Sequence, residues 1–578
     1  MPERLFVLDA YAARSCPLKT VNAFNPTLGT PPRPESAPPP FFHDADGIEA
    51  EICSRLLAST PDAVDLRVLS DDPVAEQEAA TLAALRARRP LVIGALLPRD
   101  WASHRSGRPS ALLLAPDGSG YWPVQIKFHK VMETRPVEDA TLRYSRLGDP
   151  RTVHERPGRS FRWGQRVKAA LQLAHYWRLL EASGQAAAQP WGGLVGLEQL
   201  PEADGPHGQP EPVITWLDLG LPVVAPNPAT VPEPEAAPRI STLERYDEEH
   251  AFRVRLATSS LAATGPKALL TPIVNRECAY CVWQPYCVSQ LDADDLSLRI
   301  SKAPLDVYEV AVLRELGVTS VGDLAKADID AIKDAYLPRV SHRLGGEQRL
   351  RLAQHRARLI VEGVELERQT SGPIGLPRHA LEIDLDIETS ADDRVYLWGF
   401  FVDDHDTGRR YYQHFSAFTD LDRAAERALA AEAMTWLRNL VAGRDAAVYH
   451  YSDYEVVRLT RLANAGRGHG SDPRTASGKA LAWGRDFAAE AFVDLFTVVK
   501  RNFFGANGLG LKVVVTAMTS FAWRDEDPSG LNSQSWFHEA VHAGDDGVRE
   551  AARRRLLDYN EDDVRATWHL RAWLRTLT

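Results

Sequence analysis

Residues 381–390, with the sequence LEIDLDIETS, place four acidic side chains on alternate positions: Glu382, Asp384, Asp386 and Glu388. Side chains of a β-strand point alternately to opposite faces, so the pattern predicts a strand with one apolar face and one face that carries four carboxylates. Like charges side by side on one face repel each other. A divalent cation would relieve this repulsion, because Mg²⁺ and Mn²⁺ bind carboxylate oxygens.

A second acidic segment lies about sixty residues further along the chain. Residues 446–459, AAVYHYSDYEVVRL, read as an apolar strand that leads into a helix, with Asp453 and Glu455 at the junction. Both acids are candidate ligands for a shared metal. Alternatively, Glu455 is the last member of a helix capping box that begins at Ser452.

A third acidic segment lies near the C-terminus. Residues 556–574, LLDYNEDDVRATWHLRAWL, predict an amphipathic helix on which Tyr559 and Asp563 share one face at i, i+4. Together, DIETS, YHYSDYE and YNEDD resemble the three motifs of the DEDD exonucleases, which have an RNase H-like fold. The Tyr-x-x-x-Asp spacing resembles the tyrosine subclass of that family.

The resemblance covers residues 381–577 and implies a 3′–5′ exonuclease that uses two Mg²⁺ or Mn²⁺ ions. It implies that Tyr559 orients the attacking water and that Asp453 is the alternative to Glu455. We expect Glu382 and Asp384 to flank the site or to reach solvent. The metal ligands that the resemblance implies are Asp386, Glu388, Glu455 and Asp563.

Four of the five cysteines suggest a second cofactor. Cys278, Cys281 and Cys287 lie within ten residues, CAYCVWQPYC, and Cys16 lies far upstream. Thiolates with this spacing can bind Zn²⁺ or a [4Fe–4S] cluster, and the spacing alone does not distinguish the two. We expect Cys53 to be a core residue.

One cysteine before a nuclease core and three after it resemble the iron–sulfur RecB-like nucleases of the PD-(D/E)XK superfamily. The resemblance implies a restriction-endonuclease-like α/β domain whose ends are stapled by a [4Fe–4S] cluster, with Zn²⁺ as the alternative. GIEAEICSRLL resembles the first helix of the family, with Glu51 towards the metal, and Gln172 and Tyr176 match the Gln-x-x-x-Tyr motif of the family.

The catalytic core of this first domain departs from the family pattern. Ser110 in GRPS stands where the family has a metal-binding Asp, and Gln125 stands before Lys127 where an acid is usual. Neither Ser nor neutral Gln supplies the negative charge that a divalent cation requires. We therefore predict that this domain does not cleave nucleic acid and serves as a DNA-binding platform.

Between the two α/β regions, residues 305–332 predict two short helices joined by a turn that contains glycine. This resembles a helix-hairpin-helix, whose backbone amides hold DNA phosphates without reading bases. The alternative is an ordinary helical linker. The sequence thus predicts a multidomain α/β protein with a RecB-type domain over residues 1–298, a helical linker over 299–370 and an RNase H-like domain over 371–578.

Composition limits the partners of such a chain. The net charge of −11 gives no general attraction to nucleic acid, so binding would depend on Arg-rich segments such as 143–168 and 339–359. The alternative is that these two segments are solvated helix faces. No run of about 18 apolar residues is present, and we expect a cytoplasmic protein without a membrane span.

The expected partner is DNA, single-stranded or with a 3′ end. RNA as the substrate and a non-catalytic recruiting role remain alternatives. No G-x-x-x-x-G-K-[ST] stretch occurs in the sequence, so any ATP-driven unwinding would come from a partner helicase.

Overall fold

The computed structural model describes residues 5–31, 41–200, 211–231, 233–266, 269–300, 302, 305–464, 475–526 and 530–578. Within them, separate hydrophobic cores form around an N-terminal sheet, a group of short helices and a C-terminal sheet.

The N-terminal part contains a mixed sheet and the helices that cover it. Its strands are β1 (Val64–Asp65), β2 (Leu91–Ile93), β3 (Leu97–Asp100), β4 (Arg105–Gly107), β5 (Ala111–Leu114), β6 (Tyr121–Ile126), β7 (Thr141–Arg146), β8 (Asp149–Pro157), β9 (Trp191–Leu200), β10 (Glu211–Asp218), β11 (Pro222–Val224) and β12 (Ile240–Ser241). Its helices are α1 (Pro17–Phe24), α2 (Phe41–Ser59), α3 (Val74–Arg86), α4 (Trp163–Ala182), α5 (Thr242–Leu261), α6 (Gln284–Val288) and α7 (Leu296–Arg299).

Eight of these strands form one sheet in the order β1-β2-β5-β6-β9-β10-β7-β8, with β1–β2 and β6–β9 parallel and the other neighbours antiparallel. Helix α4 packs on β6 and β9 and is buried over most of its length. A capping box of Ser241 and Glu244 starts α5, which packs against α4 and α1. The amide of Cys16, just before α1, donates to Glu277 Oε2 at 3.0 Å, so the N-terminal segment is held next to the region after α5.

The helical unit consists of α8 (Val307–Glu315), α9 (Val321–Lys326), α10 (Ile329–Tyr336) and α11 (Gly346–Glu362). Capping boxes start α8 at Asp306 and α9 at Ser320. Gly363, with φ of +69°, ends α11 in the left-handed conformation that favours glycine. The two short helices and the turn that the sequence predicts are present.

The C-terminal part contains a second sheet enclosed by helices. Its strands are β13 (Leu366–Arg368), β14 (Leu381–Thr389), β15 (Val395–Asp404), β16 (Arg409–Ser416), β17 (Ala446–His450), β18 (Phe492–Asp494) and β19 (Phe503–Gly505). Its helices are α12 (Arg423–Val441), α13 (Tyr454–Asn464), α14 (Ala476–Ala491), α15 (Leu495–Asn502), α16 (Leu511–Met518), α17 (Gly530–His542) and α18 (Asp546–Leu574).

Five strands form this sheet in the order β16-β15-β14-β17-β18; β14 runs antiparallel to β15 and parallel to β17. The apolar face of β14 joins the core that includes α12 and α14, as the alternation predicts. Helix α18 lies against β14 and β15. The acidic face of β14 is therefore covered by a helix rather than by solvent.

Candidate metal centre

The four acids of β14 divide into two pairs with different surroundings. Glu382 and Asp384 are fully buried beneath α18 and are paired with Arg571 of that helix and with Arg575, its C-terminal cap. Arg571 Nη2 lies 3.0 Å from an oxygen of Asp384, and Arg575 Nη2 lies 2.5 Å from one of Glu382. Of the two alternatives expected for these acids, flanking the site or reaching solvent, the second is wrong, because both are buried and the arginines compensate their charge inside the domain.

The other pair, Asp386 and Glu388, meets Asp563 of α18. One carboxylate oxygen from each residue lies within 4.8 Å of the others. Glu388 and Asp563 are buried, whereas Asp386 is partly exposed. Two positions on one strand and one on a helix thus direct three carboxylates to one point, as the i, i+2 spacing of the strand acids requires.

The charge of this trio is poorly compensated. Burial, followed by the negative charges of Asp563 and Glu388, raises the pKa of Asp386 well above its usual range. Burial and Asp563 raise the pKa of Glu388 to about 8. Burial likewise raises the pKa of Asp563, against the opposing influence of Lys512. Carboxylates in this state favour either a proton or a cation.

Glu455, at the start of α13, is buried near the trio, but its carboxylate oxygens do not lie within 4.8 Å of those of all three residues. Its negative charge contributes to the raised pKa of Asp386. Among the described residues its Oε2 atom has no hydrogen-bond partner, and His450 Nδ1 lies 3.5 Å away. Ser452 Oγ accepts a hydrogen bond from the amide of Tyr454 at 3.3 Å, so the alternative capping-box role of Glu455 is not the arrangement found. Asp453 is exposed.

Tyr559 lies one helical turn before Asp563 on the same face of α18, as its spacing predicts. Its hydroxyl accepts a hydrogen bond from Lys512 Nζ at 2.8 Å. Burial and the charge of Asp563 raise the pKa of this tyrosine, which therefore stays protonated. Lys512 lies in GLGLKVVV, at the start of α16, and provides a positive charge near the trio.

Each carboxylate of the trio also receives a hydrogen bond from a side chain that the motifs did not identify. Asn560 Nδ2 donates to Asp386 Oδ2 at 2.8 Å, and Ser533 Oγ lies 2.9 Å from Glu388 Oε2. Trp523 Nε1 donates to Asp563 Oδ1 at 2.7 Å. Only the position of Asn560 inside YNEDD offered a sequence signal, because Ser533 and Trp523 lie in a segment without a recognised motif.

Glu382, Asp403 and His405 form another group whose ligand atoms lie within 4.8 Å of one another. This group is already bonded to cations: Arg410 Nε donates to Asp403 Oδ1 at 2.8 Å, and Arg575, at the C-terminal cap of α18, donates to Glu382 Oε2 at 3.0 Å. Its charge is already neutralised, so it does not require a metal.

The residues expected at the N-terminal site lie close together, with one exception. Ser110 Oγ accepts a hydrogen bond from Gln125 Nε2 at 2.8 Å and donates to Glu49 Oε1 at 2.5 Å. The prediction for Glu51 is wrong, because its side chain is exposed next to Arg55. The phase of α2 instead directs Glu49 inwards, two residues earlier.

On the other side of this N-terminal group, Lys127 Nζ donates to Gln172 Oε1, and Gln172 Nε2 donates to the Tyr176 hydroxyl at 2.9 Å. Burial, and then the charge of Arg14, lower the pKa of Lys127 to about 7. Five of the six residues predicted here face inwards, and Glu49 joins them in place of Glu51. Glu49 is the single carboxylate in this inward-facing set. Such a set is a poor match for a divalent cation.

The four predicted cluster cysteines, Cys16, Cys278, Cys281 and Cys287, line one pocket at the junction of α1 and the segment after α5. Cys53 is buried in the core of the N-terminal sheet, as expected. Burial raises the pKa of the Cys287 thiol to about 11. Four thiols around one pocket are a donor set that suits a metal or a cluster.

The turn between α8 and α9 does not offer free amides to a phosphate. The amide of Val321 donates to the carbonyl of Asp294 at 2.8 Å, and the amide of Gly322 donates to the carboxylate of the same residue at 2.9 Å. Asp294 thus holds the N–H groups at the start of α9. The predicted use of these amides as a phosphate grip does not fit this arrangement.

Comparison with known proteins identifies one part of the chain. Residues 384–575 match the model of a family described as the RNase_H superfamily, and they contain the whole carboxylate trio. No curated protein and no solved structure matches the chain. The C-terminal region is therefore RNase H-like, which points to a metal-dependent nuclease with a role in nucleic-acid processing.

Among the described residues, no helix is long and apolar enough to cross a membrane.

Proposed function

We propose that the C-terminal region is a two-metal 3′–5′ exonuclease that acts on DNA. The observation that carries this proposal is the trio of Asp386, Glu388 and Asp563, whose charge is only partly compensated, within a region that matches the RNase_H superfamily. These residues, together with Glu455, would hold the metal ions. When bound, divalent ions in such a site generate hydroxide at neutral pH and stabilise both the attacking and the leaving oxygen of a phosphodiester.

The side chains around the trio suit this chemistry. Tyr559 keeps its proton, so it orients a water molecule rather than acting as a base. Lys512 holds the tyrosine hydroxyl in place and adds positive charge where the negative charge of the phosphate develops. The 3′–5′ direction rests on the resemblance to the DEDD exonucleases, and the preference for DNA rests on the resemblance of the N-terminal region to RecB-like nucleases.

The test uses full-length protein, Mn²⁺ and DNA that is labelled at its 5′ end. Wild type should shorten the DNA from its 3′ end, and Asp386→Ala should not. Equal cleavage by both proteins would mean that the chemistry lies elsewhere in the chain. An RNA of matched sequence as competitor distinguishes a ribonuclease, and binding without cleavage by wild type would support a recruiting protein.

A matched pair of variants tests the second acidic segment. Glu455→Ala should lose cleavage because Glu455 is buried next to the trio, whereas Asp453→Ala should retain it because Asp453 is exposed. The reverse result would make Asp453 the ligand.

For the N-terminal domain we propose a non-cleaving DNA platform stapled by a [4Fe–4S] cluster. The four thiols that line one pocket could hold either a cluster or a zinc ion. The preference for a cluster rests on the resemblance to the iron–sulfur RecB-like nucleases, and Zn²⁺ is the alternative.

Anaerobic purification distinguishes the two cofactors. A brown protein with iron and acid-labile sulfide supports the cluster, and a colourless protein that contains zinc contradicts it. Cys16→Ser should lose the cofactor, whereas Cys53→Ser should keep it.

A further inference from the structure

Asn560 lies between the two α18 residues proposed to act at the metal centre, and it is fully buried. Its Nδ2 atom donates a hydrogen bond to Asp386 Oδ2 at 2.8 Å, and its Oδ1 atom accepts one from the Tyr412 hydroxyl at 2.7 Å. The amide therefore bridges the sheet and the helix at the carboxylate that is most accessible in the trio.

The Tyr412 contact determines which way the amide faces. An amide has one accepting end and one donating end, and a carboxylate that binds metal can only accept. Because the tyrosine hydroxyl donates to the amide oxygen, the amide NH₂ group is directed at Asp386. The amide thus presents a donor to Oδ2 of Asp386, and it leaves Oδ1 of Asp386 outside this hydrogen bond.

The space for this bridge exists because the opposite residue on β15 is glycine. Gly399 pairs directly with Asp386 across the antiparallel ladder. A Cβ atom at Gly399 would lie 1.6 Å from Asn560 Oδ1 and 3.1 Å from Tyr412 Cε2. A side chain here would therefore expel the amide from its position.

We propose that Asn560 is a positioning residue for the metal centre, oriented by Tyr412 and admitted by Gly399, which holds the Asp386 carboxylate ready to bind a divalent cation. The inference rests on the proposed metal-dependent function. Side chains that orient a metal ligand in this way typically change metal affinity by about 10- to 100-fold when removed.

The test is the Mn²⁺ affinity of the full-length protein, measured by isothermal titration calorimetry. Asn560→Ala should weaken Mn²⁺ binding by about 10- to 100-fold, with the KM for DNA unchanged and most of the turnover restored at saturating Mn²⁺. Mn²⁺ affinity within twofold of wild type would overturn the inference.

Two further variants separate positioning from general damage to the fold. Tyr412→Phe keeps the ring and removes the orienting hydroxyl, so it should weaken Mn²⁺ binding. The matched control Tyr411→Phe alters the neighbouring residue, which packs against the core on the other face of the sheet, and should not. Equal affinities for the two variants would count against the role of Tyr412.

A double-mutant cycle tests Gly399. If its role is to admit Asn560, then Gly399→Ala and Asn560→Ala together should weaken Mn²⁺ binding no more than Asn560→Ala alone. Additive losses would show that Gly399 acts independently. A wild-type protein that neither binds Mn²⁺ nor cleaves DNA would overturn the proposed function, whereas one that binds Mn²⁺ as tightly as its Asn560→Ala variant would overturn only the positioning role.

Discussion

Replacing Arg571 with methionine should severely destabilise the C-terminal sheet. The arginine side chain is 2% exposed, and its partners Glu382 and Asp384 are 0% exposed. Glu382 would keep Arg575, but Asp384 would remain buried without its cation. Removing one partner of a buried ion pair costs about 3–5 kcal/mol, a large part of the total stability of a typical domain.

Because a multidomain chain does not unfold in one step, the measurement should be local. Hydrogen exchange of the β14 and β15 amides, followed by mass spectrometry in the full-length protein, reports the free energy of opening there. A loss of 3–5 kcal/mol corresponds to exchange that is roughly 100- to 5,000-fold faster.

Two controls accompany the Arg571→Met measurement. Arg410→Met also removes a partner of a buried acid, Asp403, but Arg410 is 54% exposed, and this change should cost no more than about 1 kcal/mol. Adding Asp384→Asn to Arg571→Met removes the stranded charge and should restore part of the loss. An Arg571→Met effect below about 1 kcal/mol would refute our assignment of this pair as the compensated half of the acidic strand.

Three further predictions concern the metal centre and the N-terminal domain. Mn²⁺ should slow hydrogen exchange of the β14 amides in wild type, because the ion binds the folded trio. Without metal, Asp563→Asn should exchange more slowly than wild type at these amides, and it should gain little further protection from Mn²⁺; an equal gain in both proteins would place the ion elsewhere. Lys512→Met should lower the single-turnover rate of cleavage by about 100-fold, because it removes both the hydrogen bond to Tyr559 and the positive charge near the trio. An unchanged cleavage rate would contradict that role. Burial lowers the pKa of His175 to about 3 and that of His250 to about 4. Below about pH 6.5 the unfolded chain binds protons at these histidines that the folded protein does not bind, so the free energy of unfolding should fall, by about 2 kcal/mol for each histidine at pH 5. Hydrogen exchange in α4 and α5 at pH 7 and pH 5 should show that loss, and in the His250→Gln variant the loss should be about half as large.

The sequence predicts the local elements of the C-terminal site better than their partners. Alternation identified β14 and its apolar face, and the i, i+4 spacing placed Tyr559 and Asp563 together on α18. The hydrogen-bond donors Ser533 and Trp523 were not predictable, because they reach the trio only through the tertiary fold. Periodicity describes one element at a time and does not say which distant segment covers it.

The N-terminal domain shows a different limit. Helix α2 was predicted from its sequence, but Glu49 rather than Glu51 faces inwards, and a difference of two residues rotates a helical side chain to the opposite face. The helical hairpin was also predicted, yet Asp294, which precedes it in the chain, holds its amides. In both cases the element is correct, and its contacts depend on packing that a single sequence does not specify.

The sequence of the helix that covers the four strand acids nevertheless explains why they divide into two pairs. Every fourth residue along α18 and its C-terminal cap reads Tyr559, Asp563, Thr567, Arg571 and Arg575, which together form one ridge of the helix. Four helical residues advance about 6.0 Å and two strand residues about 6.7 Å, so successive residues of this ridge can meet successive acids of β14. The end of the ridge with the arginines neutralises one pair of strand acids, whereas the end with the aspartate adds a third negative charge to the other pair. One helix ridge therefore provides a buried ion-pair anchor and, about two turns away, a cluster of carboxylates whose charge a metal would neutralise.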